Sequence, residues 1–278
     1  APSLSLSYDE PLFIERGEGQ YLFDHEGNKY LDAINNISHV GHCHPKVVEA
    51  AYQQSKLLNT NTRYLHESIL DYASNLIDKL PNNLTTCFFT NSGSESNDLA
   101  LRIARLYNNS KESIVMSGAY HGHTNSLIDI SPYKFFGSGG SGKKDFVHVV
   151  PMPDEFAGEH LDNESIFGDY YIAALKDKID KIKRDGKKLA FFIIEPIMGC
   201  GGQVIIPSDF MKEAFVLVKE AGGLFIVDEV QIGFGRIGTH FWGFEMSSVQ
   251  PDIVTLGKSI EWASLVSGYN DKAHRRNF

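Results

Sequence analysis

Short apolar runs that stop at a charged residue constrain this chain more than any other feature. Leu224-Phe225-Ile226-Val227 ends in Asp228-Glu229, and Ile253-Val254-Thr255-Leu256-Gly257 ends in Lys258. Runs this short and rich in β-branched residues read as buried strands of a parallel sheet. In an open α/β sheet, ligands sit at the carboxyl ends of such strands. Phe191-Phe192-Ile193-Ile194, ending in Glu195-Pro196, repeats the arrangement with another acid.

Around these runs the pattern alternates between strand and helix. Strands are expected near 86–90, 113–116, 146–150, 189–194, 223–227 and 253–256, and helices near 95–107, 170–184 and 208–221. That alternation implies an α/β fold, a mostly parallel sheet with helices on both faces. Upstream, Leu12-Phe13-Ile14, Gln20-Tyr21-Leu22-Phe23 and Lys29-Tyr30-Leu31 read as short strands, with turn chemistry at 24–28 between the last two. A helix is expected from Pro45, with proline in its first turn. A second covers 66–79, where Ile69, Leu70, Ala73, Leu76 and Ile77 recur at helical spacing. Residues 137–142 form a Gly/Ser loop, and 154–168 a polar excursion.

Composition removes several function classes. A net charge of −9 argues against a general nucleic-acid surface. No apolar stretch approaches the roughly 18 residues of a membrane span, so no membrane partner is expected. Ala1-Pro2-Ser3-Leu4 lacks a basic region followed by an apolar core, so no signal peptide is expected. Cys43, Cys87 and Cys200 fit neither a disulfide framework nor a paired zinc motif. They are expected as free buried thiols in a reducing cytoplasm.

The remaining motifs suit one kind of ligand. Asn91-Ser92-Gly93-Ser94-Glu95-Ser96-Asn97-Asp98 joins a strand to a helix. Small residues let the backbone approach an anion, and a helix N-terminus offers unpaired N–H groups, which makes Ser92, Gly93 and Ser94 candidates for a phosphate. The same segment also reads as an ordinary N-cap with acidic first-turn residues. In Ala119-Tyr120-His121-Gly122-His123 the tyrosine follows a strand and can stack on a planar ring. The two histidines have no third ligand nearby, so no metal is expected. Gln231 can reach a phenolic oxygen, and a lysine at a buried strand end is not an ordinary surface lysine. An acid for a ring nitrogen, an amine for an aldehyde, and an anion cradle together match pyridoxal 5′-phosphate (PLP).

Taken together, these segments resemble the class III (subgroup II) PLP-dependent aminotransferases of fold type I, over about residues 8–260. The most specific pieces are 91–98, Ala119-Tyr120-His121-Gly122, Asp228-Glu229-Val230-Gln231-Ile232-Gly233-Phe234-Gly235-Arg236 and Thr255-Leu256-Gly257-Lys258. Residues 58–66 and 129–135 look like one branch of that class. It includes alanine–glyoxylate aminotransferase 2-like proteins and phospho-lyases acting on ethanolamine phosphate and phosphohydroxylysine.

The resemblance implies an N-terminal segment over 1–55 that is part of a small domain, and a PLP-binding large domain over 56–260. It implies that Lys258 carries the cofactor as a Schiff base and then shuttles a proton. Asp228 would keep the pyridine nitrogen protonated. Ser92, Gly93 and Ser94 would hold the phosphate. Tyr120 would stack on one ring face with His121 and Gly122 beside it, and Val230 would pack on the other. Gln231 would touch the ring oxygen, and Glu195 would lie near the substrate side. The implied substrates are a small amine or amino acid and a keto acid, and the implied assembly is a homodimer with sites at the subunit interface.

Three alternatives stand beside transamination. A phospho-lyase shares the carbanion chemistry but expels a phosphate instead of reprotonating the cofactor carbon. Glu195-Pro196 suits the broader transaminase class, whereas the surroundings of Tyr64 and Tyr133 look like the phospho-lyase branch. A P-loop NTPase is suggested by Gly137-Ser138-Gly139-Gly140-Ser141-Gly142-Lys143-Lys144, although Lys144 replaces the required Ser/Thr and a strand pattern follows.

The third alternative is an inactive relic. After the lysine the family pattern is Gly-Asn-Gly-His-Pro, whereas this chain has Glu261-Trp262-Ala263-Ser264-Leu265. Allowed codons for Glu261 to Gly268, shifted by one base, spell Asn-Gly-His-Pro-Leu-Ser-Pro. Residues 261–278 therefore read as a frameshifted tail on a C-terminally truncated fold. On that reading the large domain lacks its last strand, the C-terminal domain is missing with a threonine that a partner subunit supplies, and apolar surface is left exposed.

Overall fold

The first elements form a small antiparallel meander of β1 (Ile14–Glu18), β2 (Tyr21–Asp24) and β3 (Lys29–Leu31). The turn between β2 and β3 follows from its residues. Asp24 Oδ1 accepts the amides of Glu26 at 3.0 Å and Asn28 at 2.8 Å, and Gly27 sits at φ +86°. Helix α1 (Pro45–Leu57) has its proline in the first turn and buries no residue. The strand expected at Leu12 begins two residues later, at Ile14. This computed structural model describes residues 6, 8–35, 38–60, 63–156, 164–260 and 263–267. The chain divides into two compact units, Ala1–Glu67 and Ser68–Phe278.

The second unit takes up α2 (Glu67–Ile77) from its second residue, and α2 leads into β4 (Thr86–Thr90), α3 (Gly93–Asn108) and β5 (Glu112–Met116). Two single-turn helices, α4 (Asn125–Ile128) and α5 (Pro132–Phe135), precede β6 (Val147–Val150) and α6 (Glu164–Arg184). Then come β7 (Leu189–Ile194), the short hairpin β8 (Ile197–Met198) and β9 (Val204–Ile205), α7 (Ser208–Glu220), β10 (Leu224–Asp228) and β11 (Ile253–Leu256). The last described strand is β12 (Ala263–Ser267). The short helices and the β8–β9 hairpin escape periodicity because each is too short to show one. The first turns of α6 lie inside the segment expected to be a polar excursion.

The main sheet has the order β4-β12-β11-β10-β7-β5-β6. The pairs β11–β10, β10–β7, β7–β5 and β5–β6 are parallel. Every residue of β5, β7, β10 and β11 is buried, and successive residues serve opposite faces. Ile114, Phe192, Phe225 and Val254 point toward Tyr171, Leu175, Phe210 and Val218 of α6 and α7. Val115, Phe191, Ile226 and Ile253 point toward Ala100, Leu101 and Ala104 of α3. The sheet is thus sandwiched by helices on both faces, and its apolar runs are continuous because neither face meets water.

Three expectations need correction. The slot between β4 and β11, expected to lack its strand, is filled by β12, which pairs antiparallel with both neighbours. Backbone pairing is indifferent to side-chain identity, so a segment unlike the family pattern can complete the ladder. The NTPase loop is also overturned: residues 137–142 leave a helix and enter β6, whereas a P-loop runs from strand to helix. Its lysines are tied back locally, Lys143 Nζ donating to the Val147 carbonyl at 2.9 Å and Lys144 lying 3.6 Å from Asp129. The thiols of Cys43 and Cys200 are exposed rather than buried, because both residues fall in turns, and Cys87 on β4 is half-buried. Among the described residues no helix is long and apolar enough to cross a membrane.

Candidate active site

Asp228 closes β10, and Lys258 follows β11 by one glycine. Asp228 is the register partner of Thr255 in the parallel β10–β11 pair, so acid and amine leave neighbouring strands at the same, carboxyl, edge of the sheet. Val230 and Gln231 follow Asp228 at this edge. Lys258 Nζ donates to Gln231 Oε1 at 2.5 Å. Gln231, expected to touch a ring oxygen, therefore meets the lysine here.

The Asp228 carboxylate is 5% exposed and held by three donors. Its Oδ2 accepts His121 Nδ1 at 2.8 Å and Asn97 Nδ2 at 2.8 Å, while Oδ1 accepts the Val230 amide at 3.1 Å. A carboxylate only accepts, so His121 carries its proton on Nδ1. Nε2 of this buried ring has no hydrogen-bond partner among the described residues. The expected histidine pair thus divides in two: His121 is buried against Asp228, and His123 lies toward the surface with its ring 3.4 Å from the Tyr120 hydroxyl.

Helix α3 starts with the N-cap that one reading of its sequence expects. Ser92, in extended conformation, caps it by accepting the Glu95 amide on Oγ at 3.1 Å, and Glu95 Oε2 accepts the Asn91 amide at 2.6 Å. The Ser92 carbonyl takes the Ser96 amide at 3.0 Å. This leaves the amides of Gly93 and Ser94 at the positive end of the helix, free of those capping bonds. A Cβ on Gly93 would lie 2.7 Å from Val230 Cγ1, and one on Gly257 would lie 2.9 Å from the same atom. Gly122, at φ +130°, would place a Cβ 2.6 Å from Ser94 Oγ. Three glycines thus let four loops converge on one small space.

Glu195, at the end of β7, is buried with both oxygens engaged. Oε1 accepts the Tyr120 amide at 3.2 Å and Oε2 the Gly199 amide at 3.2 Å. Burial pushes its carboxyl well above the usual range; His121 opposes the shift, and the Asp228 charge adds to it. The Tyr120 ring packs edge-on against Tyr133 at 6.0 Å, and burial raises its hydroxyl above the ordinary tyrosine value. Lys134 Nζ stands 5.6 Å from the Tyr120 ring centre and 5.5 Å from that of Tyr133.

The donor set fits PLP. Asp228 Oδ1 keeps a lone pair for a ring N–H, the first amides of α3 suit a phosphate, and Lys258 is an amine for an aldehyde. The glycine-lined gap leaves the backbone open to close approach. Two groups escaped the sequence reading, Asn97 and Thr255, which join the Asp228 cluster from α3 and β11. The one available signal was an asparagine on the core-facing side of a helix.

Comparison with known proteins identifies the family. A profile of the aminotransferase class-III family matches residues 5–267. The chain is 46% identical over 252 residues to a Drosophila melanogaster protein named alanine–glyoxylate aminotransferase 2-like, covering 90% of this chain and 51% of that one. A phospholyase from Arthrobacter, solved in complex with phosphoethanolamine, superposes with a TM-score of 0.88 at 35% identity, over 96% of this chain and 63% of the other. An omega transaminase from Pseudomonas jessenii, solved in complex with PMP, gives a TM-score of 0.84 at 28% identity over 92% and 60%. The chain spans about half the length of the curated relatives it matches.

Proposed function

The chain belongs to the class III aminotransferase family, and we propose that it is the cofactor-binding portion of a PLP-dependent transaminase. The whole protein would act as a homodimer and move an amino group between a small amine or amino acid and a keto acid. The observation that carries this reading is the delivery of Asp228 and Lys258 to one sheet edge, with Asp228 fixed by three donors. Bound PLP supplies an electron sink for the carbanion left when a proton is removed beside the substrate nitrogen.

The chain's residues divide the remaining work. Lys258 would hold the cofactor through its amine and, once freed by a substrate amine, its Nζ would carry the proton to and from the reacting carbon. Gln231 Oε1 orients that amine. Asp228, buried and held by three donors, would keep the proton on the ring nitrogen. Gly93 and Ser94, with Ser92 capping them, would hold the phosphate through backbone amides, and Tyr120 and Val230 would flank the ring. His121 and Gly122 act from behind this surface: His121 bonds Asp228, and Gly122 makes room for Ser94. Glu195 anchors the loops of Tyr120 and Gly199 rather than presenting a free carboxylate.

A phospho-lyase is the second reading, favoured by the Lys134–Tyr133 pair beside Tyr120, which suits an anionic substrate. Adding PLP, reducing with borohydride and mapping the labelled peptide tests the common part. The label is expected on Lys258 and absent from Lys258→Ala; a label elsewhere, or none, would overturn the cofactor assignment and favour the inactive relic. With the whole protein, inorganic phosphate released from phosphoethanolamine without an aminated keto-acid product would replace transamination by elimination.

A further inference from the structure

Helix α3 meets the site twice. Gly93 and Ser94 open it, and Asn97, 1% exposed, lies one turn further on. Both N–H bonds of the Asn97 amide are used, one on Asp228 Oδ2 and one on the His121 carbonyl, each at 2.8 Å. Its Oδ1 accepts the Thr255 hydroxyl at 2.7 Å. The orientation is forced, because a carboxylate and a carbonyl only accept, so the amide nitrogen must face them. A core-facing asparagine is costly unless every polar atom is paired, and here all are. With Oδ2 occupied by Asn97 and His121, the free lone pair of Asp228 is confined to Oδ1.

We propose that Asn97, braced by Thr255, is a positioning residue that aims Asp228 at the cofactor's ring nitrogen. One rigid helix then sets the spacing between the phosphate cradle in its first turn and the acid gripped roughly 6 Å along its axis. This inference rests on the PLP reading above and adds to it the residue that registers the two ends of the cofactor.

The test compares PLP with 1-deazapyridoxal 5′-phosphate, which carries C–H in place of the ring nitrogen. Half-saturation of the visible absorbance is measured for the 278-residue chain, for Asn97→Ala and for Thr255→Val. The threonine variant keeps the shape of its strand position and serves if the alanine variant fails to fold. The wild-type chain is expected to prefer PLP. Each variant should narrow that preference about tenfold, by weakening PLP and leaving the deaza analogue within about twofold, as loss of one charge-assisted hydrogen bond predicts. Equal weakening of both cofactors, or an unchanged preference, would reduce Asn97 to a packing role and overturn the inference. A wild-type chain that develops no absorbance with PLP would overturn the cofactor reading itself, and this inference with it.

Discussion

Asp228 and Glu229 are adjacent acids with opposite fates. Asp228 is held by three donors at the site, whereas Glu229 turns away to accept the Phe244 amide at 2.8 Å. Its Oε2 is buried without a hydrogen-bond partner among the described residues. Burial pushes its carboxyl up to about 7, with two backbone amides opposing the shift. A folded-state value above the unfolded one means that stability is fully present below the unfolded carboxyl range and is lost as pH rises through 7. Glu229→Gln, which keeps the shape and removes the charge, should match wild type in thermal stability at pH 4 and exceed it at pH 8, by on the order of 3 kcal/mol. Equal melting temperatures at both pH values would show that Glu229 carries no such burden.

At the scale of elements, the N-terminus of α3 depends on the absence of a side chain. Alanine ordinarily favours a helix over glycine by about 1 kcal/mol. At position 93, however, the added methyl would meet Val230 Cγ1 at 2.7 Å. Gly93→Ala is therefore expected to lower the melting temperature and weaken PLP binding, against its helix propensity. Val230→Ala in the same chain should recover most of the stability, giving a clear coupling in a double-mutant cycle. Additive losses would mean that the helix start and the Val230 loop do not press on one another. The elements themselves were legible in the sequence where periodicity runs long enough, as in α3, α7 and the apolar strands. Single-turn α4 and α5 were not, because one turn shows no repeat.

At the scale of the molecule, the sheet's continuity rests on β12. It pairs through Ala263 to Ser267 with β4 and through Ser264 to Ser267 with β11. Without it, two strand edges would stand open side by side, the arrangement that promotes association between chains. Deleting 261–278 should convert a monodisperse species into higher-order aggregates, read by light scattering during gel filtration. A deleted chain of unchanged size would show that β12 does not guard those edges. The strand is antiparallel in an otherwise parallel run, and no local pattern at 263–267 announced that it would enter the sheet between β4 and β11.

What the sequence determined by itself is the α/β layout and the kinds of chemical group at the strand ends: an acid at 228, an amine at 258, small residues at 92–94 and an aromatic at 120. These are legible because burial on both faces writes a continuous apolar run, and the run's end marks the sheet edge where ligands bind. The tertiary structure decided that Asp228 is gripped by three donors while Glu229 turns away, that Gln231 meets Lys258, and that Asn97 and Thr255 complete the grip on Asp228. Those choices depend on hydrogen bonds between residues far apart in the chain, brought together by strand order. Local periodicity encodes the face a residue occupies, and only the packed sheet decides what it meets there.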